Sequence, residues 1–286
     1  MKINEYSEHS SLMSNDYVLI DSENWGTRRI LFKNALESAL AMMSTQNLYP
    51  GAERNFIRGK NLGTTVTADQ RNMIRIGNFM NFFVGDYWVI NGIKWVIVDI
   101  DYWWHCGDTT DTRVDTHHLV IMPEERIDTG VMNDESTTDG GYANSKMRTS
   151  VLDNAKEMIL NAFGDLVLTR REYLIDDAEN GCPTSGNWYN SQVEIPDEIM
   201  VYGCRIHSPA NDGSAYQKLH TTSKTQLALF RLCPNHIFNT GSYWLRDVVS
   251  KNSFATVQST GVTSYSQANT TTGIRPVFAI GSNEIV

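Results

Sequence analysis

Only four cysteines occur in the 286 residues, Cys106, Cys182, Cys204 and Cys233, and none forms a CxxC pair or a dense disulfide framework. Buried free thiols are the expectation. Positive charge is also scarce, since 24 Lys and Arg against 33 Asp and Glu leave a formal net charge of −9. That balance excludes the clustered basic surface on which phosphate-backbone binding depends, and nucleic acid is not an expected partner. No apolar run of about 18 residues is present, and the opening MKINE is not followed by the apolar core of a signal peptide. Neither membrane insertion nor a secretion signal is expected, so synthesis in the cytosol is. Metal-ligand spacing is lacking as well: the adjacent His117 and His118 would point to opposite faces of a strand, a poor chelate. No cofactor and no metal are expected.

What the chain does have is aromatic residues, seven Trp and twelve Tyr, within a 41% hydrophobic composition. This suits a globular chain with a large mixed core or a surface that recognises through rings. Residues 1–45 read as a separate unit. YVLID at 17–21 and TRRILF at 27–32 flank turn signals and predict a hairpin, and ALESALAMM at 35–43 carries the 3.6-residue spacing of a helix. A hairpin and one helix bury too little to stand alone, so a partner chain is expected. Residues 46–77 read as a linker with Pro50-Gly51 and Gly59 to Gly63 as breakers, followed by a helix whose Thr67 and Gln70 form a capping box and which Gly77 ends.

Residues 87–98, YWVINGIKWVIV, hold an Asn-Gly pair between two β-rich runs, the signature of a two-residue type I′ hairpin. Further strands are expected at 118–123, 166–169, 198–202, 242–246, 254–257 and 276–280. Helices are expected after Asp153 as N-cap, with Gly164 as terminator, and over 223–232. No internal repeat is visible. Many strands with few helices in mixed order indicate an α+β fold.

The stretches 247–253 and 263–272 have no packing periodicity and are rich in Ser, Thr, Asn and Tyr, the composition of adaptable recognition surfaces. The candidate ligand-binding residues are Val248, Ser250, Lys251, Ser253, Thr263, Ser264, Tyr265, Ser266, Gln267 and Asn269, with Tyr265 as the anchor. The loop at 101–115 and the segment 211–222 are the next candidates. Asp99, Asp101, Asp108, Asp111 and Asp115 could supply a glycosidase pair or a calcium site, but their irregular spacing fits solvated loop carboxylates better.

The elements YWLR at 243–246, FATV at 254–257, Gly261 and GIRPVF at 273–278 together resemble a domain family of the C-type-lectin-like fold. That fold is shared by the formylglycine-generating-enzyme superfamily and the variable proteins of diversity-generating retroelements. GDYW at 85–88, NGIKW at 91–95, GGY at 140–142 with Met147-Arg148, and EIMVYG at 198–203 extend the resemblance over residues 78–281, and it is similar to the C-terminal domain of prophage tail proteins of Gram-positive gut bacteria. Residues 3–30 resemble the head segment of phage tail and baseplate proteins. The resemblance implies a C-type-lectin-like ligand-binding domain at 78–286 on a particle-anchoring segment at 1–45, in a virion tail. It implies a homotrimer, tail or baseplate partners, and a host cell-surface receptor of protein or glycan. In retroelement-diversified relatives the variable face lies in the C-terminal segment. Arg246 and Arg275 are expected to brace the fold. The oxidases of the superfamily use a close cysteine pair for copper, whereas Cys233 stands alone, so no enzyme activity is expected. A structural baseplate or decoration protein without a receptor is the alternative reading.

Overall fold

The computed structural model describes residues 17–20, 28–36, 52–208 and 225–282. The chain divides into a first unit, Met1–Glu53, and a second, Arg54–Val286. In the first, β1 (Tyr17–Ile20) and β2 (Arg28–Leu31) pair antiparallel as the hairpin expected there. Helix begins at residues 32–36; the rest of the helix expected over 35–43 lies outside the described residues.

The second unit is α+β, built on two five-stranded sheets. The first sheet runs β3-β4-β5-β14-β9, from β3 (Tyr87–Ile90), β4 (Ile93–Ile100), β5 (His118–Pro123), β9 (Val193–Glu194) and β14 (Val277–Gly281). The second runs β12-β11-β10-β13-β6, from β6 (Asp128–Gly130), β10 (Tyr243–Ser250), β11 (Ser253–Val257), β12 (Thr263–Gln267) and β13 (Thr272–Ile274). A separate long hairpin joins β7 (Arg170–Glu179) to β8 (Cys182–Ser191).

Strands β4, β5 and β14 are apolar along most of their length because both faces of their sheet are covered. Trp95, Ile97, Leu119, Ile121, Phe278 and Ile280 pack with α1 (Ala68–Arg75) and α2 (Asp153–Phe163). Their neighbours Val96, Val98, Val120, Met122, Val277 and Ala279 meet Tyr243, Leu245, Ala255 and Val257 of the second sheet. A third cluster, with Trp244, Val248, Phe254 and Ile274, fills the outer side of that sheet. Layering of this kind leaves the second sheet's edge strand β12 at the periphery.

Local chemistry explains the elements. Asn91 and Gly92 have φ of 53° and 78°, as a type I′ turn requires. Thr67 and Gln70 exchange side-chain and backbone hydrogen bonds in a capping box. Three expectations are corrected. Residues 198–202 form a short helix, α3 (Glu198–Tyr202), because Asp197 accepts the Met200 N–H at 2.8 Å and Gly203 closes it with φ of 82°. Residues 164–166 form a 3-10 turn, and the strand starts only at Arg170. Asp153 is inside α2, whose N-cap is Leu152, after a π turn at Met147–Val151. The helix expected over 223–232 is confined to α4 (Ala228–Leu232) among the described residues.

Residues 54–66, read as linker, belong to the second unit's framework. Ile57 and Asn61 bridge to Val84 and Tyr87, and Arg58 forks onto the buried carboxylate of Asp86 at 2.6–3.2 Å. The breakers Gly59 and Gly63 shape a strip lying along the sheet. Such strips have no periodicity of their own to read.

Candidate functional site

The ten candidate residues lie on the end of β10, the following turn, β11, β12 and the turn beyond. Strand β12 pairs only with β11, with Tyr265 opposite Ala255 and Gln267 opposite Ser253, so its outer edge is unpaired within the sheet. Tyr265 is 55% exposed and meets the His207 ring edge-on at 5.4 Å. Alternation along the strand puts Thr263, Tyr265 and Gln267 on one side and Ser264 and Ser266 on the other. Lys251, Gln267 and Asn269 are exposed, and Ser250 is half-buried.

Two candidates are not on the surface. Val248 is 1% exposed and packs with Trp244 and Phe254, and Ser253 is 5% exposed. A register shift on either side of Val248 turns it inward. Strand periodicity read without that irregularity misplaces it.

The β10–β11 turn is held from three directions. Thr138 donates its N–H to the Lys251 carbonyl at 3.1 Å and its hydroxyl to the Ser250 carbonyl at 2.9 Å. Asn252 accepts the Ser250 hydroxyl at 2.8 Å, and its carbonyl accepts the Ala268 N–H at 2.9 Å. The tip of the β7–β8 hairpin, Asn180-Gly181, presses on the same turn. A Cβ on Gly181 would lie 2.5 Å from the Ser250 Cα and the Lys251 nitrogen.

Between these segments lies an open polar cleft of about 600 Å³, walled by Ser136, Asp139, Glu179, Lys251, Asn252 and Gln267. The Ser136 hydroxyl is sequestered and has no hydrogen-bond partner among the described residues. Lys251 and Gln267 were expected here; Ser136, Asp139, Glu179 and Asn180 were missed. The usable signal was Asn180-Gly181, whose φ values of 53° and 82° make a second type I′ turn.

Gly181→Ala is expected to destabilise the chain by about 1–3 kcal/mol, since it adds positive-φ strain and forces the hairpin tip off the turn. Urea unfolding measures this, and an unchanged midpoint would mean that the close approach is dispensable.

The chain matches no family model, no curated protein and no solved structure.

The acidic residues at 99–115 are engaged with neighbours. Asp99 is buried, forks with Arg54 at 2.7 and 3.1 Å and accepts the Ala228 N–H. Asp101 accepts from His117 and from the His118 N–H. Asp108 pairs with Arg171, which holds its carboxyl far below the usual range, and Asp115 is lowered chiefly by Arg113 and then by His105. Carboxylates held in ion pairs are poorly placed for general acid work. Among the described residues no group of three His, Cys, Asp or Glu could hold a metal ion. His118 is fully buried, and burial lowers its pKa, while His117, just before β5, is exposed.

The cysteines are all free, Cys106 buried, Cys233 partly so, and Cys182 and Cys204 exposed, which corrects the expectation that all are buried. Arg246 and Arg275 brace the fold as expected. Arg246 joins Glu172 and Asp197, and Arg275 donates to the carbonyls of Pro123 and His236 at 3.0 and 2.9 Å. Residues 211–222 lie outside the described residues.

Proposed function

We propose that the second unit is a C-type-lectin-like binding domain of a phage or prophage tail protein, and that it engages a host-surface receptor through β12 and the cleft beside Lys251. The observation that carries this is the combination of an exposed Tyr265 on an unpaired edge strand with an adjoining cleft built from three separate loops. An exposed aromatic beside adaptable Ser, Gln and Asn groups is the chemistry of a recognition face. The fold assignment rests on the YWLR and GIRP elements, which supply β10 and the entry to β14; Arg246 ties β10 to β7 and to the start of α3, and Arg275 ties the entry of β14 to the end of β5. Residues 1–45 serve as the anchor to tail or baseplate proteins, in a homotrimer. Binding rather than catalysis is the role of the domain.

Replacing Tyr265 by Ala is expected to weaken adsorption by about 2 kcal/mol, roughly thirtyfold, whereas Lys251→Ala at the rim should cost below about 1 kcal/mol. The measurement is adsorption of purified protein to a panel of Gram-positive gut bacteria, with thermal melting as the folding control. Unchanged adsorption of a folded Tyr265→Ala chain would place recognition elsewhere. Failure of the unaltered protein to adsorb to any cell would favour a structural baseplate role.

A further inference from the structure

Strand β12 presents an open backbone edge. The Gln258 N–H donates to the Val262 carbonyl at 2.8 Å and the Ala268 N–H to the Asn252 carbonyl at 2.9 Å, which fixes the phase of its ladder with β11. Thr256 with Ser264 and Phe254 with Ser266 are then the hydrogen-bonded pairs, and the backbone groups of Thr263, Tyr265 and Gln267 point away from β11. The Gln267 carbonyl takes the Thr270 N–H at 2.9 Å, but none of the three outward N–H groups has an acceptor among the described residues. Natural sheets blunt such edges with proline, charge or a bulge. TSYSQ has no proline and no charge, and its register with β11 runs unbroken from Thr263 to Gln267.

Gln267 also lines the polar cleft of about 600 Å³ at the end of the strand. Asp139, Glu179 and Lys251 border the same cleft, all three exposed and with no ion pair among the described residues. Two carboxylates against one ammonium leave this end of the strand negative. A strand added antiparallel to β12 would begin here, because β12 itself arrives here with Gln267.

We infer that β12 takes up an extended polypeptide segment of the receptor as a sixth strand of its sheet, with a basic residue N-terminal to that segment seated in the cleft against Asp139 and Glu179. This rests on the reading of β12 as the recognition face and narrows its partner to protein. Outward backbone groups at every second residue match an extended chain, whose own groups repeat with the same period. Tyr265 then packs beside a cross-strand side chain, and Lys251 is left to donate to a carbonyl of the incoming segment. A second copy of this chain fits less well, since the residues preceding its own β12, 258–262, carry no charge for the cleft.

The probe is a library of random peptides of about ten residues, enough for one strand with flanks, panned on the full-length chain. Binding of the selected peptides is then measured by fluorescence anisotropy. They are expected to carry Lys or Arg on the N-terminal side of a β-prone run. N-methylation of alternate residues in the register facing β12 should weaken binding roughly tenfold or more, since each methyl removes a donor and blocks the approach, whereas the other register should change little. Asp139→Asn combined with Glu179→Gln, both at exposed positions, should cost several-fold and abolish the preference for the basic residue. Binding that ignores the methylation register would overturn the inference. So would the selection of no peptide while Tyr265→Ala still weakens adsorption to cells, a result that leaves the recognition face standing. Hydrogen-exchange protection of the Tyr265 and Gln267 amides that grows with the concentration of the chain alone would assign the edge to a second copy and overturn it as well. Peptide binding alongside adsorption indifferent to Tyr265→Ala would overturn the recognition reading instead, and with it the receptor as the source of the segment.

Discussion

Arg246→Ala is expected to cost about 3–5 kcal/mol of folding stability, the range for removing one partner from a buried ion pair. For a domain of this size that corresponds to a fall in Tm of roughly 10 °C or more. Arg246 is 7% exposed, and its two terminal nitrogens reach Glu172 at 2.6 Å and Asp197 at 3.1 Å. Glu172 keeps a second partner in Arg170 at 2.9 Å, whereas Asp197 would lose its ion pair with Arg246 while remaining buried. The same carboxylate caps α3 through the Met200 N–H, so the damage spreads from β10 into the helix. Arg246→Lys should recover only part of the loss, because one ammonium cannot fork across two carboxylates with the guanidinium's geometry. Chemical unfolding of the three chains side by side is the measurement. A loss below about 1 kcal/mol for Arg246→Ala would mean that the carboxylates are resolvated and the arginine is no brace.

The parts of this fold that are legible in the sequence are those in which one local signal agrees with burial. Asn91-Gly92 sits between apolar runs that fill the core, so turn chemistry and hydrophobic pattern say the same thing. The β7–β8 hairpin has an equally good turn in Asn180-Gly181, yet its strands carry Asp176, Asp177, Thr184, Ser185 and Asn187, and much of their length faces solvent. Without an apolar stripe the pattern is silent. Residues 198–202 fail for the opposite reason: EIMVY has strand-like composition, and only the caps at Asp197 and Gly203 make it a turn of helix.

The candidate site divides in the same way. Lys251, Tyr265 and Gln267 are exposed because polar, aperiodic stretches seldom pack. Val248 and Ser253 were placed on the surface with them because a register shift cannot be seen in composition. Asp139 and Glu179 were missed because they reach Lys251's cleft from segments more than 70 residues away in the chain, a long-range closure that no local window contains. The lining of a cleft of about 810 Å³ between residues 110–116 and the start of β7 was half visible: the loop at 101–115 stood out by its acids, but Arg170, Arg171 and Asn190 became its other wall only through the hairpin.

Asp247 gives the second large effect, and it acts through pH. The residue is 6% exposed, accepts the Glu198 N–H at 2.7 Å, and faces Asp197, Glu198 and Arg246. Burial first, then the neighbouring Asp197 and Glu198, push its carboxyl up from 3.8 to about 7, against the opposing pull of the Glu198 N–H and Arg246. Between those two values the folded chain keeps a proton that the unfolded chain has released. Folded protein therefore binds more protons there, and stability falls as pH rises from about 4 to about 7, after which the penalty is complete. At roughly 1.4 kcal/mol per tenfold change in the protonation equilibrium, the expected penalty is on the order of 4 kcal/mol. Asp247→Asn retains an oxygen for the Glu198 N–H and cannot ionise, so it should be more stable than the unaltered chain at about pH 8 and indistinguishable near pH 4. Asp108 and Asp115, whose carboxyls are lowered by their arginine partners, work in the opposite sense at acid pH, but they are common to both chains and cancel in the difference. Urea unfolding of the pair across this range is the measurement, and parallel stability curves would show that Asp247 is ionised in the folded state throughout. The substitution bears on function as well. The buried Glu198 carboxylate accepts the N–H groups of Ile206, His207 and Ser208, and His207 is the ring that Tyr265 meets. Because Asp247→Asn relieves repulsion beside Glu198 without removing any of these bonds, the asparagine chain should adsorb as well as the parent while tolerating alkaline pH better.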